Sequence, residues 1–174
     1  GYEEQTAIHK AINNVLPRGW KNEIQNDLIL NYKLEIQQTM IHHKFLDLIH
    51  CSQIRAGTLF TDLGIGGEIR AGLKKNWNPA AIVRLKDPPQ LFAFARSQLN
   101  AIGYNASLQG GLLNRSSVYT IAGSDIQRLV LLAEFGISAS YKNIQTNYTQ
   151  SYLSKEFRTG MAHQWGRFSL VIGF

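Results

Sequence analysis

The amino-acid sequence predicts an all-β chain, an antiparallel transmembrane β-barrel with a short N-terminal helix. The first observation is a period-two alternation of apolar and polar residues through most of the chain after residue 22. The second is that several alternating segments reach about 12 residues, more than the ~9–11 that a tilted strand needs to cross hydrocarbon. The third is a charged fraction of only 17%, with 24 Asn and Gln residues supplying polar positions instead. We therefore expect apolar faces toward lipid and amide-rich faces toward an enclosed wet interior.

The chain opens with a segment that predicts a short helix between residues 2 and 16. Its apolar residues recur at steps of three and four, which places them in one helical stripe: Ala7, Ile8, Ala11, Ile12 and Val15. Pro17 and Gly19 then end the helical pattern. Overall, we expect a single domain over residues 1–174, with the helix within residues 1–17 and the strands within residues 22–174.

About seven strands follow, each with an apolar side opposite a polar side. In order, they are expected over residues 24–36, 45–58, 59–73, 91–104, 129–141, 144–152 and 168–174. The first is the clearest, because Leu30, Tyr32 and Leu34 alternate with Asn31 and Lys33. Turns or loops are expected at residues 37–44, 74–90, 142–143 and 158–163.

A soluble lipid-carrying barrel is the structural alternative to a membrane barrel. It would turn its charges outward, and the charged fraction is too low for that arrangement. A membrane barrel of seven strands would be unusual, because single-chain bacterial barrels usually have an even number of strands. An open sheet in lipid would also leave unpaired backbone groups at both edges, at several kcal/mol per group. We therefore expect further strands N-terminal to Gly1.

Composition excludes several classes of site. The single Cys51 excludes an internal disulfide and a cysteine cluster for zinc or iron–sulfur. A net charge of +6 permits contact with the phosphates of lipid or nucleic acid without choosing between them. Basic and aromatic residues are not interleaved in a recognition motif, so nucleic acid is set aside as a partner.

Five stretches resemble the outer-membrane lipid A 3′-O-deacylases, which remove the 3′-acyloxyacyl chain of lipid A. They are EEQTAIHKAI, GWKNEIQNDLILNYKLE, FLDLIHCSQIRAGTLF, NYTQSYLSKEF and WGRFSLVIGF, of which the last two are the most specific. The resemblance implies a twelve-stranded barrel in the bacterial outer membrane. This chain would be its C-terminal seven strands, preceded by a helix at the outer rim. Lipid A or lipopolysaccharide would be the substrate and calcium the cofactor.

The resemblance also implies a catalytic histidine on the opening helix, and His9 is the matching position. Imidazole is the usual group for taking a proton from water near neutral pH, as ester hydrolysis requires. Gln5 lies four residues earlier, on the same helix face, where it could orient the water, the imidazole or a metal ligand. Glu3 and Glu4 are more simply explained as carboxylates favoured at a helix N-terminus. Because most other catalytic and calcium-binding residues of the family lie on earlier strands, we expect the isolated chain to be inactive.

Other polar and small residues have structural explanations. Several are expected to line the barrel interior as a wet polar cluster: Asp47, His50, Arg55, Arg96 and Glu134, the last two as a pair across the lumen. Adjacent side chains point apart, so His42–His43 is expected to be part of a polar turn and not a metal pair. The glycines at positions 64, 66 and 67 predict a close backbone approach or a bulge within a strand.

The competing function is a non-catalytic barrel of the same kind, or a porin-like channel. A channel would have no need for His9 and Gln5 on a helix facing the lipid. The role of this helix is therefore the feature that separates the two functions.

Overall fold

A computed structural model describes residues 2–11, 27–73, 89–113, 117 and 119–173, with the side chains of the first helix described from Ala7 onward. The elements are α1 (Tyr2–Ala11), β1 (Asn31–His43), β2 (Leu46–Gly57), β3 (Phe60–Leu73), β4 (Gln90–Asn105), α2 (Ala106–Gln109), β5 (Leu129–Tyr141), β6 (Ile144–Leu153) and β7 (His163–Ile172). The opening helix and all seven predicted strands are present, but β1 begins at Asn31 and the preceding residues 27–30 are not strand. The predicted end of the helix at Pro17 and Gly19, the predicted strand residues 24–26 and nearly all of the predicted loop over residues 74–90 lie outside the described residues. Within the described residues, no helix is both long and apolar enough to cross a membrane.

All seven strands form one antiparallel sheet in which each strand pairs with its neighbours in sequence. Among the described residues, β1 and β7 are the two edges of this sheet and do not pair with each other. Two-residue turns close the β1–β2 and β5–β6 hairpins at Lys44–Phe45 and Lys142–Asn143. Lys142 has a φ of 54°, the left-handed conformation that such tight hairpins require, so the turn predicted there is confirmed.

The predicted polar turn over residues 37–44 is wrong, because β1 continues to His43. The register against β2 shifts between Thr39 and Ile41, which marks a bulge. A bulge inserts one extra residue and reverses the alternation beyond it, so the end of this strand loses its period-two signal. The predicted loop over residues 158–163 also ends earlier than expected, since His163 already belongs to β7.

The two faces of the sheet differ in the opposite sense to those of a soluble protein. Large apolar side chains are exposed, with Leu129 at 62% and Phe135 at 59% of their full accessibility. Polar side chains are buried instead, with Ser138 at 2% and Thr149 at 4%. Such a pattern is unfavourable in water and favourable in lipid, where the exposed apolar side contacts acyl chains.

The sheet curls around its polar face. Nη2 of Arg96 on β4 lies 3.5 Å from Oε1 of Glu35 on β1, although β2 and β3 lie between these strands. In a flat sheet the backbones of β1 and β4 would be about 14 Å apart, since neighbouring strands are ~4.8 Å apart. One cavity also has walls from both Glu68 on β3 and Arg167 on β7. We call the concave polar side the inner face and the convex apolar side the outer face.

Candidate functional site

The helix α1 carries the two residues singled out for catalysis. Because it is continuous from Tyr2 to Ala11, the positions of Gln5 and His9 lie one turn apart on one helix face. The His9 side chain is partly exposed, as a group that must reach a substrate has to be. The side chain of Gln5, like those of Glu3 and Glu4, lies outside the described part of the chain. The joint action of Gln5 and His9 therefore stays a prediction.

The inner face carries a hydrogen-bonded network centred on one carboxylate. Oε2 of Glu35 lies 2.8 Å from Nζ of Lys33, and Oε1 accepts a hydrogen bond of 2.9 Å from Nε2 of Gln37. The guanidinium of Arg96 approaches the same Oε1 atom at 3.5 Å from across the concave face. The network therefore ties β1 to β4 through side chains alone.

Further ion pairs on the inner face neutralise the carboxylates of β3. Asp62, which is 5% exposed, accepts a 2.9 Å hydrogen bond from Nε of Arg55. Arg55 also stacks on the ring of Phe60, with its Cζ atom 4.5 Å from the ring centroid. Glu68 pairs with Arg70 two residues along the same strand. A buried charge is tolerated when it is paired in this way, so these residues stabilise a wet interior.

The predicted pair between Arg96 and Glu134 is not found among the described residues. The two are directly opposite each other in the β4–β5 register, yet the ion pair of Arg96 is with Glu35. Oε1 of Glu134 instead accepts a 3.0 Å hydrogen bond from Oγ of Ser151. Strand periodicity places such side chains on a face, but the curvature of the sheet decides which of them meet.

One member of the predicted interior cluster lies on the other side of the sheet. Asp47 and Arg55 are on the inner face as expected, where Asp47 lies 2.8 Å from Nδ1 of His42. His50 is on the outer face, because an even number in this strand cannot share a side with odd ones. Its Nε2 atom is 2.7 Å from Oγ of Ser52. The period-two rule, applied strictly, would have found this.

His42 and His43 point to opposite faces of β1, so the prediction that they form no metal pair agrees with the strand geometry. They lie in the strand and not in a turn, which corrects their predicted position.

The described strands enclose two polar cavities on the inner face. One, of about 440 Å³, is lined mainly by β4 to β7, and the other, of about 460 Å³, by β1 to β5 with the adjoining loops. Arg96 and Glu134 line both cavities and stand between them. Their walls are rich in charged and amide groups, which suits water and polar ligands better than an acyl chain.

The long β4–β5 connection folds back onto the end of the sheet, a feature the sequence did not indicate. The guanidinium of Arg128 donates to the carbonyl oxygens of Gly103 at 2.8 Å and Gly123 at 2.9 Å. The backbone N–H of Leu113 donates to Oδ2 of Asp27, next to β1, at 3.1 Å. This connection therefore extends from β4 to the start of β1. It lies at the same end of the sheet as the β2–β3 and β6–β7 connections.

The calcium ion implied by the family resemblance stays a prediction. The described residues contain no group of three or more His, Cys, Asp or Glu side chains placed to hold a metal ion. The carboxylates of Glu35, Asp62 and Glu68 are each paired with a cationic side chain.

A curved antiparallel meander, apolar on its convex side and ion-paired on its concave side, defines a transmembrane β-barrel protein. The family model described as outer membrane protein LpxR matches residues 1–174, and the chain belongs to this family. The protein is accordingly located in the bacterial outer membrane. The family resemblance found in the sequence is confirmed, whereas the correspondence to the C-terminal part of the barrel stays a prediction.

One solved structure shares the fold. The chain is similar to LpxR from Salmonella typhimurium, with a TM-score of 0.73 and 21% sequence identity. The match covers 100% of this chain and 62% of the other, so the chain spans less than two thirds of that structure's length. No curated protein sequence matches the chain significantly.

A charge placed on the outer face tests the membrane orientation. Ile65, 59% exposed near the middle of β3, faces lipid, and we expect Ile65→Lys to destabilise the folded barrel by about 2–4 kcal/mol. Gln53→Lys is the matched control. Gln53 lines the inner cavity and directly follows Ser52, which is the residue opposite Ile65 on β2, so the two substitutions lie close together on opposite faces of the sheet. Urea unfolding of the full-length protein in lipid vesicles measures the free energy of unfolding of both variants. Equal losses for the two variants would contradict the assignment of the faces.

Proposed function

We propose that the protein is a lipid A deacylase that hydrolyses the 3′-acyloxyacyl ester of lipid A in the outer leaflet. The observation that carries the proposal is His9 on a continuous helix, one turn from Gln5, in a chain that belongs to this outer-membrane family. An outer-membrane location also brings the protein to the leaflet in which lipid A resides. The substrate, the reaction and the catalytic role of His9 are what the family resemblance implies, and the helix supports the role of Gln5 by placing it one turn from His9.

In this proposal, His9 acts as the general base. Its imidazole takes a proton from a water molecule as the water oxygen bonds to the ester carbonyl carbon. The bond between that carbon and the 3′ oxygen of the sugar then breaks, and the imidazolium returns the proton to this oxygen. The products are an acyloxyacyl fatty acid and lipid A with a free 3′ hydroxyl group. Gln5 holds the water or the imidazole in place through its carboxamide.

We propose that other parts of the same barrel complete the site. All 13 residues of the edge strand β1 are exposed, and an unpaired edge in lipid is strongly unfavourable. Further strands of the same barrel pairing with β1 and β7 would remove both edges. Residues outside the described part of the chain would also hold the calcium ion that the resemblance implies, and none of the proton transfers above depends on it.

A porin-like channel is the less favoured function. Its interior would be open, whereas here Arg96 reaches across the concave face to Glu35 and paired carboxylates line the wall. A channel would also have no need for His9 and Gln5 on one face of a helix.

Mass spectrometry of lipid A tests the proposal. We expect lipid A from the source bacterium to gain the mass of one acyloxyacyl group when the gene is deleted, and to lose it again when the full-length protein is restored. An unchanged lipid A profile in both strains would contradict the proposed function.

A further inference from the structure

The apolar outer face carries a polar patch on β1 and β2 that the proposed reaction does not use. It consists of Gln38, His50 and Ser52, and we call it the lipid-facing polar patch. The side chains around it on the outer face are aliphatic: Ile36, Leu48, Ile54, Ile65 and Ile69. Polar side chains that face hydrocarbon are costly and tend to be functional.

The patch has hydrogen-bonding capacity left over. Gln38 is directly opposite His50 in the β1–β2 register, and Nε2 of His50 bonds with Oγ of Ser52 at 2.7 Å. Within the part of the chain that the structure describes, neither Nδ1 of His50 nor the carboxamide of Gln38 has a hydrogen-bond partner. The patch therefore presents free donors and acceptors to its surroundings.

The depth of the patch decides what those surroundings are. In β2 (Leu46–Gly57), His50 is four residues from one end and seven from the other. A strand tilted by ~40° rises about 2.5 Å per residue along the membrane normal, so His50 lies about 10 Å from one end and about 18 Å from the other. Both distances place it inside a hydrocarbon band about 25 Å tall, whichever end faces outward. Lipid head groups and ester groups lie at the surfaces of that band, so polar partners at this depth come from protein. A further strand paired with β1 would lie beside Gln38, but β1 separates that strand from His50 on β2, which leaves the imidazole facing another protein surface.

We propose that the lipid-facing polar patch is the contact surface for a second copy of this protein. A carboxamide and an imidazole each donate and accept hydrogen bonds, so Gln38 of one copy can pair with His50 of the other and the reverse. Such reciprocal pairing is what a twofold dimer requires of a single surface. Directly paired residues on neighbouring tilted strands differ in depth by only about 3 Å, which both side chains can span.

The surface beside the patch would allow a second copy of the protein to approach closely. Gly67 is opposite His50 on β3, and Ser97 is opposite Gly67 on β4. A methyl group built on Gly67 would meet only the backbone oxygen of Ile49, so no side chain covers the sheet there. Small residues at a contact between membrane proteins let polar side chains meet without a gap. The outer face of β5, by contrast, is apolar throughout: Leu129, Leu131, Ala133, Phe135, Ile137, Ala139 and Tyr141.

Cysteine cross-linking of the full-length protein in its outer membrane tests the proposal. Ile36→Cys places a thiol beside the patch and leaves Gln38 and His50 intact, whereas Leu131→Cys is the matched control on the outer face of β5. The native Cys51 is 1% exposed and faces the interior, so it does not react across the interface. With a short membrane-permeable bismaleimide, we expect a dimer from Ile36→Cys at about ten times the yield from Leu131→Cys. Equal yields at the two positions would overturn the proposal.

A second variant tests the hydrogen bonds themselves. Adding Gln38→Leu and His50→Leu to Ile36→Cys should lower the cross-linked yield to that of the Leu131→Cys control and weaken dimerisation in vesicles about tenfold. Both changes put an apolar residue against lipid, so the barrel is expected to remain folded, which resistance to SDS without heating verifies. An unchanged yield from a folded barrel would also overturn the proposal. Because deacylation is not the readout, the outcome is independent of the proposed function.

Discussion

Replacing His9 with alanine in the full-length protein is expected to lower the rate of lipid A deacylation by about 100-fold or more. The reason is that a positioned general base contributes about 10²–10⁴ to the rate, and alanine cannot accept the proton of the attacking water. The side chain is partly exposed on α1, so its loss should leave the stability of the barrel within about 0.5 kcal/mol. Mass spectrometry of lipid A over time, after restoring the variant to cells that lack the gene, measures the rate.

A histidine elsewhere on the chain controls for this prediction. His163, at the start of β7, is exposed and far along the chain from α1, and His163→Ala should retain full activity. Gln5→Ala should lose less activity than His9→Ala, because a carboxamide that orients the water or the imidazole does not itself take the proton. If His9→Ala retained the wild-type rate, the base would be another residue and the proposed mechanism would fail.

Replacing Gly66 with alanine is expected to prevent stable folding, or to destabilise the barrel by about 3 kcal/mol or more. A Cβ atom at Gly66 would overlap the carbonyl oxygen of Ser97 and lie 2.8 Å from Cα of Gln98 on the neighbouring strand. Both are backbone atoms of β4, so the clash is relieved only by moving β3 away from β4 and breaking their hydrogen bonds.

The adjacent glycine is a control of the same residue type in the same strand. A Cβ atom at Gly67 would meet only the backbone oxygen of Ile49, at 3.2 Å, so Gly67→Ala should cost no more than about 1 kcal/mol. Urea unfolding in lipid vesicles compares the two variants, with the fraction folded read from mobility on unheated SDS gels. Equal stabilities for the two variants would contradict the close approach between β3 and β4.

The glycine cluster illustrates how far sequence reasoning goes. Three glycines in one strand predicted a close backbone approach or a bulge, and the close approach is present at Gly66. The register between β3 and β4 runs unbroken from Asp62 to Leu73, so the bulge is absent there. The choice between a close approach and a bulge depends on the position of β4, and the residue pattern of β3 does not determine that position.

Strand ends were predicted less well than strand interiors. β3 and β5 alternate clearly and β2 alternates poorly, yet the predicted bounds of all three agree with the structure to within a residue or two. In β1 the bulge near Thr39 breaks the alternation, so the last residues of the strand resembled a turn. In β7, Gln164 and Gly166 share a side with Phe168 but are not large apolar residues, so the alternation that predicted the strand from Phe168 onward does not extend to its first half.

Within the candidate site, the sequence indicated a helix with His9 and Gln5 on one face, since residues four apart share a face of any α-helix. The sequence did not indicate which charged residues pair with each other. Arg96 pairs with Glu35, 61 residues away, and not with Glu134 across from it. Arg128, which binds three backbone carbonyl oxygens, carries no signal in the sequence, because any exposed arginine would look the same.

For the strands that alternate clearly, such as β3 and β5, the sequence by itself determined which side meets lipid, because successive side chains of a strand point to opposite faces. It also determined that the interior is polar, since apolar residues occupy the other side. Only the tertiary structure decided how strongly the sheet curls, which charges then meet across it, and that His50 shares a surface with Gln38. These depend on the register between strands and on the angle between neighbours, which are properties of the assembled sheet and of no single segment.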